Sequence, residues 1–151
     1  MERINEKIAD YLDALKTLQD SVELFYEYKK LFEKDSTDRN ERLFTSMRDS
    51  MIQRFEYCTD LLWKVLKLYL EEIEKIDLPI NSPRIIVREA VAARILTESE
   101  GFEYMDMVKS RNITSHIYRE EIADAIAHEV PEYYEFMKKI MDRIQKTITI
   151  I

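Results

Sequence analysis

The chain has 151 residues with one glycine and three prolines, is 46% hydrophobic and 35% charged, and carries a net charge of −7. Average usage would supply roughly 10 Gly and 7 Pro, so turn chemistry weighs against a sandwich, a barrel or a Gly-rich phosphate loop, and the apolar content weighs against disorder. The length suits a single helical domain over residues 1–151, and the acidic balance disfavours a general nucleic-acid binder while leaving room for a local basic site.

In chain order, Ile4, Ile8, Tyr11, Leu15, Leu18, Val22, Phe25 and Phe32 recur at spacings of three, four and seven. That is the stripe of an amphipathic helix about eight turns long. The run Asp35-Ser36-Thr37-Asp38 interrupts it, and Asp38 with Glu41 reads as a capping box for the next helix. The second stripe runs through Leu43, Met47, Met51, Phe55, Cys58, Leu62, Val65, Tyr69, Ile73 and Ile76. Two such helices joined by a short loop make an antiparallel hairpin. Cys58, the only cysteine, falls on the apolar stripe and is expected as a buried free thiol.

DLPINSP, residues 77–83, ends the second helix, and Ser82 with Pro83 is a good N-cap and first-turn pair for a third, expected to about Thr97. TESEG, with Gly101, reads as a break before a short fourth helix from about Phe102 to Lys109. The segment RNITSHIYRE then reads as a junction, EEIADAIAHE as helix, and Pro131 as a boundary before a last helix through Tyr133, Met137, Ile140, Ile144 and Ile148. The tail TITII alternates like a strand but is too short to build a sheet, so residues 147–151 are expected to be loose. The fold expected is an all-α, up-and-down bundle of two long antiparallel helices and three to four shorter ones.

Chemistry-bearing residues are few. His116 and His128 stand alone, with no H-E-x-x-H, Cys cluster or G-x-S-x-G, so neither a metal nor another cofactor is expected. No apolar run approaches 18 residues and no leader is apparent, so the expectation is a cytoplasmic protein without a membrane partner. The exception is Arg111 to Tyr118, which packs Arg, Asn, Thr, Ser, His and Tyr into eight positions. On a straight helix Arg111 and His116 would diverge by about 140°. The segment is therefore either a polar junction that satisfies helix ends or an anion site, with Arg111 as clamp and His116 as acid or base.

Arg111-x-x-x-x-His116-x-Tyr118, with Asn112 after the arginine, resembles the signature of the HEPN superfamily. Arg54-Phe55-Glu56-Tyr57, Trp63-Lys64-x-x-Lys67-x-Tyr69-Leu70-Glu71-Glu72, Ser82-Pro83-Arg84 and Arg88-Glu89-Ala90 resemble its nucleotidyltransferase substrate-binding branch. Together these pieces cover most of residues 50–127 in the expected order; Asp60 departs from the pattern, which has Glu there. The resemblance implies a homodimeric helical bundle paired with a minimal nucleotidyltransferase, as toxin to antitoxin. In active relatives the Arg and His of two subunits cut RNA without metal. Carried over, His116 moves a proton, Arg111 stabilises phosphate charge and Asn112 helps orient them, while Tyr118 is the residue that the partner nucleotidylates. The alternative is a non-catalytic subunit that presents substrate or nucleotide to the transferase.

Two expectations complete the reading. Lys64, Arg84, Arg88, Lys109 and Arg119 should form a basic surface for RNA or nucleotide around Arg111. Ile86, Val87, Ala90 and Val91 on the third helix should be left over from the core and covered by a second copy of the chain.

Overall fold

A computed structural model of the chain describes residues 2–79, 81–116 and 119–150, and for residues 115 and 116 the backbone only. Among the described residues the chain forms five helices and no strand: α1 (Glu2–Lys34), α2 (Asp38–Glu72), α3 (Pro83–Ala92), α4 (Glu98–His116) and α5 (Glu120–Ile150).

The two predicted stripes meet as a hairpin. Ile4, Ile8, Tyr11, Leu15, Leu18 and Phe25 of α1 are buried, as are Met51, Phe55, Cys58, Leu62, Val65 and Tyr69 of α2. The helices run in opposite senses: Arg3 lies 4.0 Å from Glu72, Arg54 donates to the Thr17 carbonyl at 3.3 Å, and Phe25 stacks on Phe44 at 5.2 Å between centroids. Thr37, not Asp38, caps α2. Its backbone is extended and its hydroxyl accepts from the Asn40 N–H at 3.2 Å, while the Asn40 side chain donates to the Asp35 carbonyl at 2.8 Å.

Both helix ends that fall short of prediction turn through left-handed backbone. α2 stops at Glu72 rather than Ile76, with Lys75 at φ 59° and the Ile76 N–H bonded to the Leu70 carbonyl at 2.9 Å. α3 stops at Ala92 rather than Thr97, with Arg94 at φ 65° and Ile95 and Leu96 both donating to the Ala90 carbonyl. Chains usually place Gly or Asn at such ends; a side-chain-bearing residue there costs about 1 kcal/mol.

TESEG is a helix start rather than a break. The Thr97 hydroxyl accepts from the Glu100 N–H at 3.1 Å, and the Glu100 carboxylate accepts from the Thr97 N–H at 2.8 Å, a reciprocal capping box. Gly101 lies inside the first turn of α4, where a Cβ would come within 2.8 Å of Val91 Cγ2, so its lack of a side chain serves the close approach of α3 and α4. Glu100 also receives two bonds from Arg143 at 2.6 and 2.8 Å and the Lys139 ammonium at 3.3 Å, tying α4 to α5. The Arg143 hydrogen bonds, working against burial, draw the Glu100 carboxyl down to about 2 from an ordinary 4.5.

α5 is a third long helix, 31 residues, because Pro131 does not end it. Proline in a helix interior forfeits one backbone bond. Here Val130, Tyr134, Met137 and Ile140 are buried around it and hold the helix to the core. Residues 147–150, expected to be loose, belong to α5. Ile86, Val87 and Ala90 are 0%, 4% and 0% exposed within this one chain, so the expectation that a second copy covers them is overturned.

Candidate functional site

The polar segment is helical as far as it is described: residues 111–116 form the C-terminal end of α4 rather than an open junction. Two turns of α2 face it. Arg111 Nε donates to Asp60 Oδ1 and Nη2 to Asp60 Oδ2, each at 2.9 Å, a two-bond fork that fixes the plane of the guanidinium. Arg111 Nη1 stands 3.9 Å from Glu56, one helical turn before Asp60. The Asp60 hydrogen bonds, outweighing partial burial, raise the pKa of Arg111 above its usual value, so its charge is permanent. The side chains of Arg111 and Asp60 remain 23% and 38% exposed. The Thr114 hydroxyl donates back to the Arg111 carbonyl at 2.7 Å, within the same helix. Asp60, one methylene shorter than the Glu of the family pattern, still reaches the arginine.

Asn112 does not share this face. It lines an open groove of about 580 Å³ on the α3 side of α4, together with Arg84, Lys109 and Ile113. Arg119 lines a different cavity, of about 490 Å³, between α2 and the start of α5. Lys64 is exposed one turn beyond Asp60, and Arg88 is exposed on α3. The expected cations are thus divided between the two flanks of α4 rather than gathered into one ring. The approach of His116 to Arg111 and the placement of Tyr118 lie outside the described residues.

A second arginine, outside every motif in the sequence, is clamped in the same way. Arg48 of α2 is 1% exposed; its Nη1 donates to Glu120 at 2.7 Å and Asp124 at 2.8 Å, and its Nε to Asp49 at 3.0 Å. Burial alone would lower its pKa, but these carboxylates outweigh it and raise it above the ordinary arginine range. The signal was present: Arg48 stands three and four residues before Met51 and Ile52, on the buried stripe of α2. A cation there requires anions from a facing helix. The clamp anchors the first turn of α5, two residues beyond Tyr118.

Among the described residues no group of three or more His, Cys, Asp or Glu is placed to hold a metal ion. No helix among them is long and apolar enough to cross a membrane.

Comparison with known proteins decides the family. Residues 6–146 match the family described as "Nucleotidyltransferase substrate binding protein like". The chain belongs to it. It is the nucleotidyltransferase substrate-binding family that the motif pieces predicted. A protein of Thermus thermophilus is 30% identical, with a TM-score of 0.69 over 89% of this chain and 98% of that one. The Shewanella oneidensis HEPN toxin, solved tri-AMPylated and in complex with its MNT antitoxin, is 18% identical with a TM-score of 0.64 over 90% and 96%. Haemophilus influenzae HI0074, described as revealing the fold of a substrate binding domain of a nucleotidyltransferase, is 22% identical with a TM-score of 0.58 over 87% and 98%. The last two likenesses are of fold. No curated protein sequence matches the chain.

Proposed function

We propose that this chain is the HEPN toxin of a pair whose antitoxin is a minimal nucleotidyltransferase, and that it cuts RNA through Arg111 and His116 as a homodimer. The observation that carries the reading is the Asp60 fork. A guanidinium at the surface of a helix end is ordinarily a swinging side chain; here its plane is set and its charge permanent. A phosphate that reaches the motif meets an oriented cation, the arrangement that stabilises charge developing in a transition state.

In the proposed reaction His116 accepts the proton of a ribose 2′-hydroxyl as its oxygen attacks phosphorus. The bond from phosphorus to the 5′-oxygen breaks, and the imidazolium of the second copy protonates that oxygen. The products are a 2′,3′-cyclic phosphate and a 5′-hydroxyl. Proton transfer of this kind is worth about 10²- to 10⁴-fold in rate. In vivo, expression of the wild type should arrest growth and His116→Ala should not; arrest by both would remove the ribonuclease reading.

Control by the partner is assigned to Tyr118. A tri-AMPylated toxin held by its antitoxin, and a nucleotidyltransferase substrate binding domain, share this fold and support the pairing. A nucleotide on that hydroxyl adds negative charge to the motif and repels an incoming phosphate. Incubation with the cognate transferase and ATP should add whole nucleotide masses to the wild type and none to Tyr118→Phe.

A second reading has its own observation. Asp60 and Glu56 already neutralise Arg111, and the net charge is −7. A subunit that presents substrate to the transferase needs no attraction for RNA. In that case the chain stimulates transfer in the reconstituted pair and leaves RNA intact.

A further inference from the structure

Beside the motif, the N-terminal half of α2, the end of α4 and the start of α5 enclose a cavity of about 490 Å³. Small-ligand sites typically measure about 300–1,000 Å³. Ile52, Ile122 and Ala123 form an apolar wall. Gln53 places an amide on the same cavity, Thr114, Ser46 and Ser50 place hydroxyls, Glu56 and Asp49 place carboxylates, the latter already bonded to Arg48, and Arg119 supplies a cation. Glu56 is shared: it lines the cavity and stands 3.9 Å from Arg111 Nη1. An occupant that reaches Glu56 therefore touches a side chain that also faces the Arg111 guanidinium.

We propose that this cavity is a nucleobase pocket, which takes the amino-bearing edge of an adenine, guanine or cytosine whose phosphate lies at Arg111. The base has an apolar face for the aliphatic wall and a polar edge for the side chains opposite. Glu56, as a carboxylate, only accepts, so it selects an edge that donates N–H groups. Adenine, guanine and cytosine each present an amino group. Uracil presents two carbonyls flanking one N–H and sets at least one of them against the carboxylate, which rejects it by repulsion. The Gln53 amide both donates and accepts, and so pairs with a ring nitrogen beside an amino group. The position of the phosphate rests on the function proposed above; the base contacts rest on the cavity alone.

Nucleosides, which lack the phosphate, test the pocket by itself. Methyl NMR of the full chain follows Ile52, Ile122 and Ala123 during titration with adenosine, guanosine, cytidine and uridine. The amino-bearing nucleosides should shift these methyls, with uridine at least tenfold weaker. Ser50→Phe fills the cavity from the half-buried edge of α2 and should abolish the shifts; the milder Gln53→Ala should weaken binding severalfold with the helical circular dichroism unchanged. Arg111→Ala should leave nucleoside binding intact and weaken the monophosphates. Silent methyls, or uridine equal to adenosine, overturn the proposal.

The base of an RNA strand and that of a transferred nucleotide share this chemistry. Competition by short oligoribonucleotides for the unmodified protein identifies the first source. Adenosine-like shifts without added ligand, after treatment with transferase and ATP, identify the second. If nucleosides bind while His116→Ala cuts RNA as well as the wild type, the pocket stands and the catalytic role of His116 fails. Cutting that depends on His116, with silent methyls, removes the pocket alone.

Discussion

Arg48 and Arg111 are built from the same chemistry and do opposite things. Both are held by carboxylates across a helix interface, yet one side chain is 1% exposed and the other 23%. Arg48 is surrounded by anions from two helices and has no face left for a ligand, so it acts as a lock. Arg111 is forked by Asp60, with Glu56 3.9 Å away, and lies near a cavity toward the end of α4. Burial, rather than the ion pair, separates the structural arginine from the one proposed to meet a ligand.

The sharpest way to break this contrast is to strip the lock. Glu120→Gln with Asp124→Asn leaves the Arg48 charge buried with Asp49 alone, and should cost about 3–5 kcal/mol in urea denaturation. Arg48→Met, which removes the buried charge and leaves carboxylates that are 60–61% exposed to resolvate, should cost clearly less. Equal losses from both changes would mean that packing, not charge, holds α5.

Glu100 gives the next effect. Its folded pKa of about 2 lies below the ordinary 4.5, so the unfolded state binds the extra proton first as pH falls. Its stabilisation is complete above about pH 4.5 and is lost as pH drops toward 2. Glu100→Gln should cost about 2–3 kcal/mol at neutral pH and flatten the acid limb of a stability–pH curve in that interval. An unchanged acid limb would assign acid sensitivity to other carboxylates.

At the motif the order of effects reverses, with little stability lost and much function. Asp60→Asn keeps one hydrogen bond to Arg111 and removes a partly exposed ion pair, so unfolding should move by about 1 kcal/mol or less. On the proposed ribonuclease function, RNA cleavage should fall at least tenfold as the guanidinium loses its plane. If activity holds, the fork is ornamental and the contrast with Arg48 dissolves. The smallest effect belongs to Arg94: at φ 65°, Arg94→Gly should stabilise by about 0.5–1 kcal/mol, readable as a rise in Tm.

The helices were legible because their stripes are long and regular. Their ends were harder, since an end is decided by one or two bonds. Thr37 and Asp38 both look like caps, and only the Asn40 N–H chooses between them. The Thr97-x-x-Glu100 box was in plain sight beside a glycine that drew attention to itself as a break. Pro131 breaks an isolated helix but not one packed on a core. Arg111 was legible as a candidate, but its partner is 51 residues away, and periodicity does not pair positions across helices. Arg48 needed the opposite inference, from a charge misplaced on a greasy stripe to anions that must exist elsewhere.

The Arg48 clamp also has a consequence in time. Its bonds close loops of 72 and 76 residues, whereas the α1–α2 hairpin turns back through residues 35–37. Chain closure over such spans comes at a higher entropic cost than local pairing. On a ribosome the hairpin, then Asp60 and Arg111, emerge well before the first turn of α5 that completes the frame. A nascent fragment that stops short of Glu120 carries the whole motif without either α5 carboxylate of the clamp, so the frame around the motif closes last.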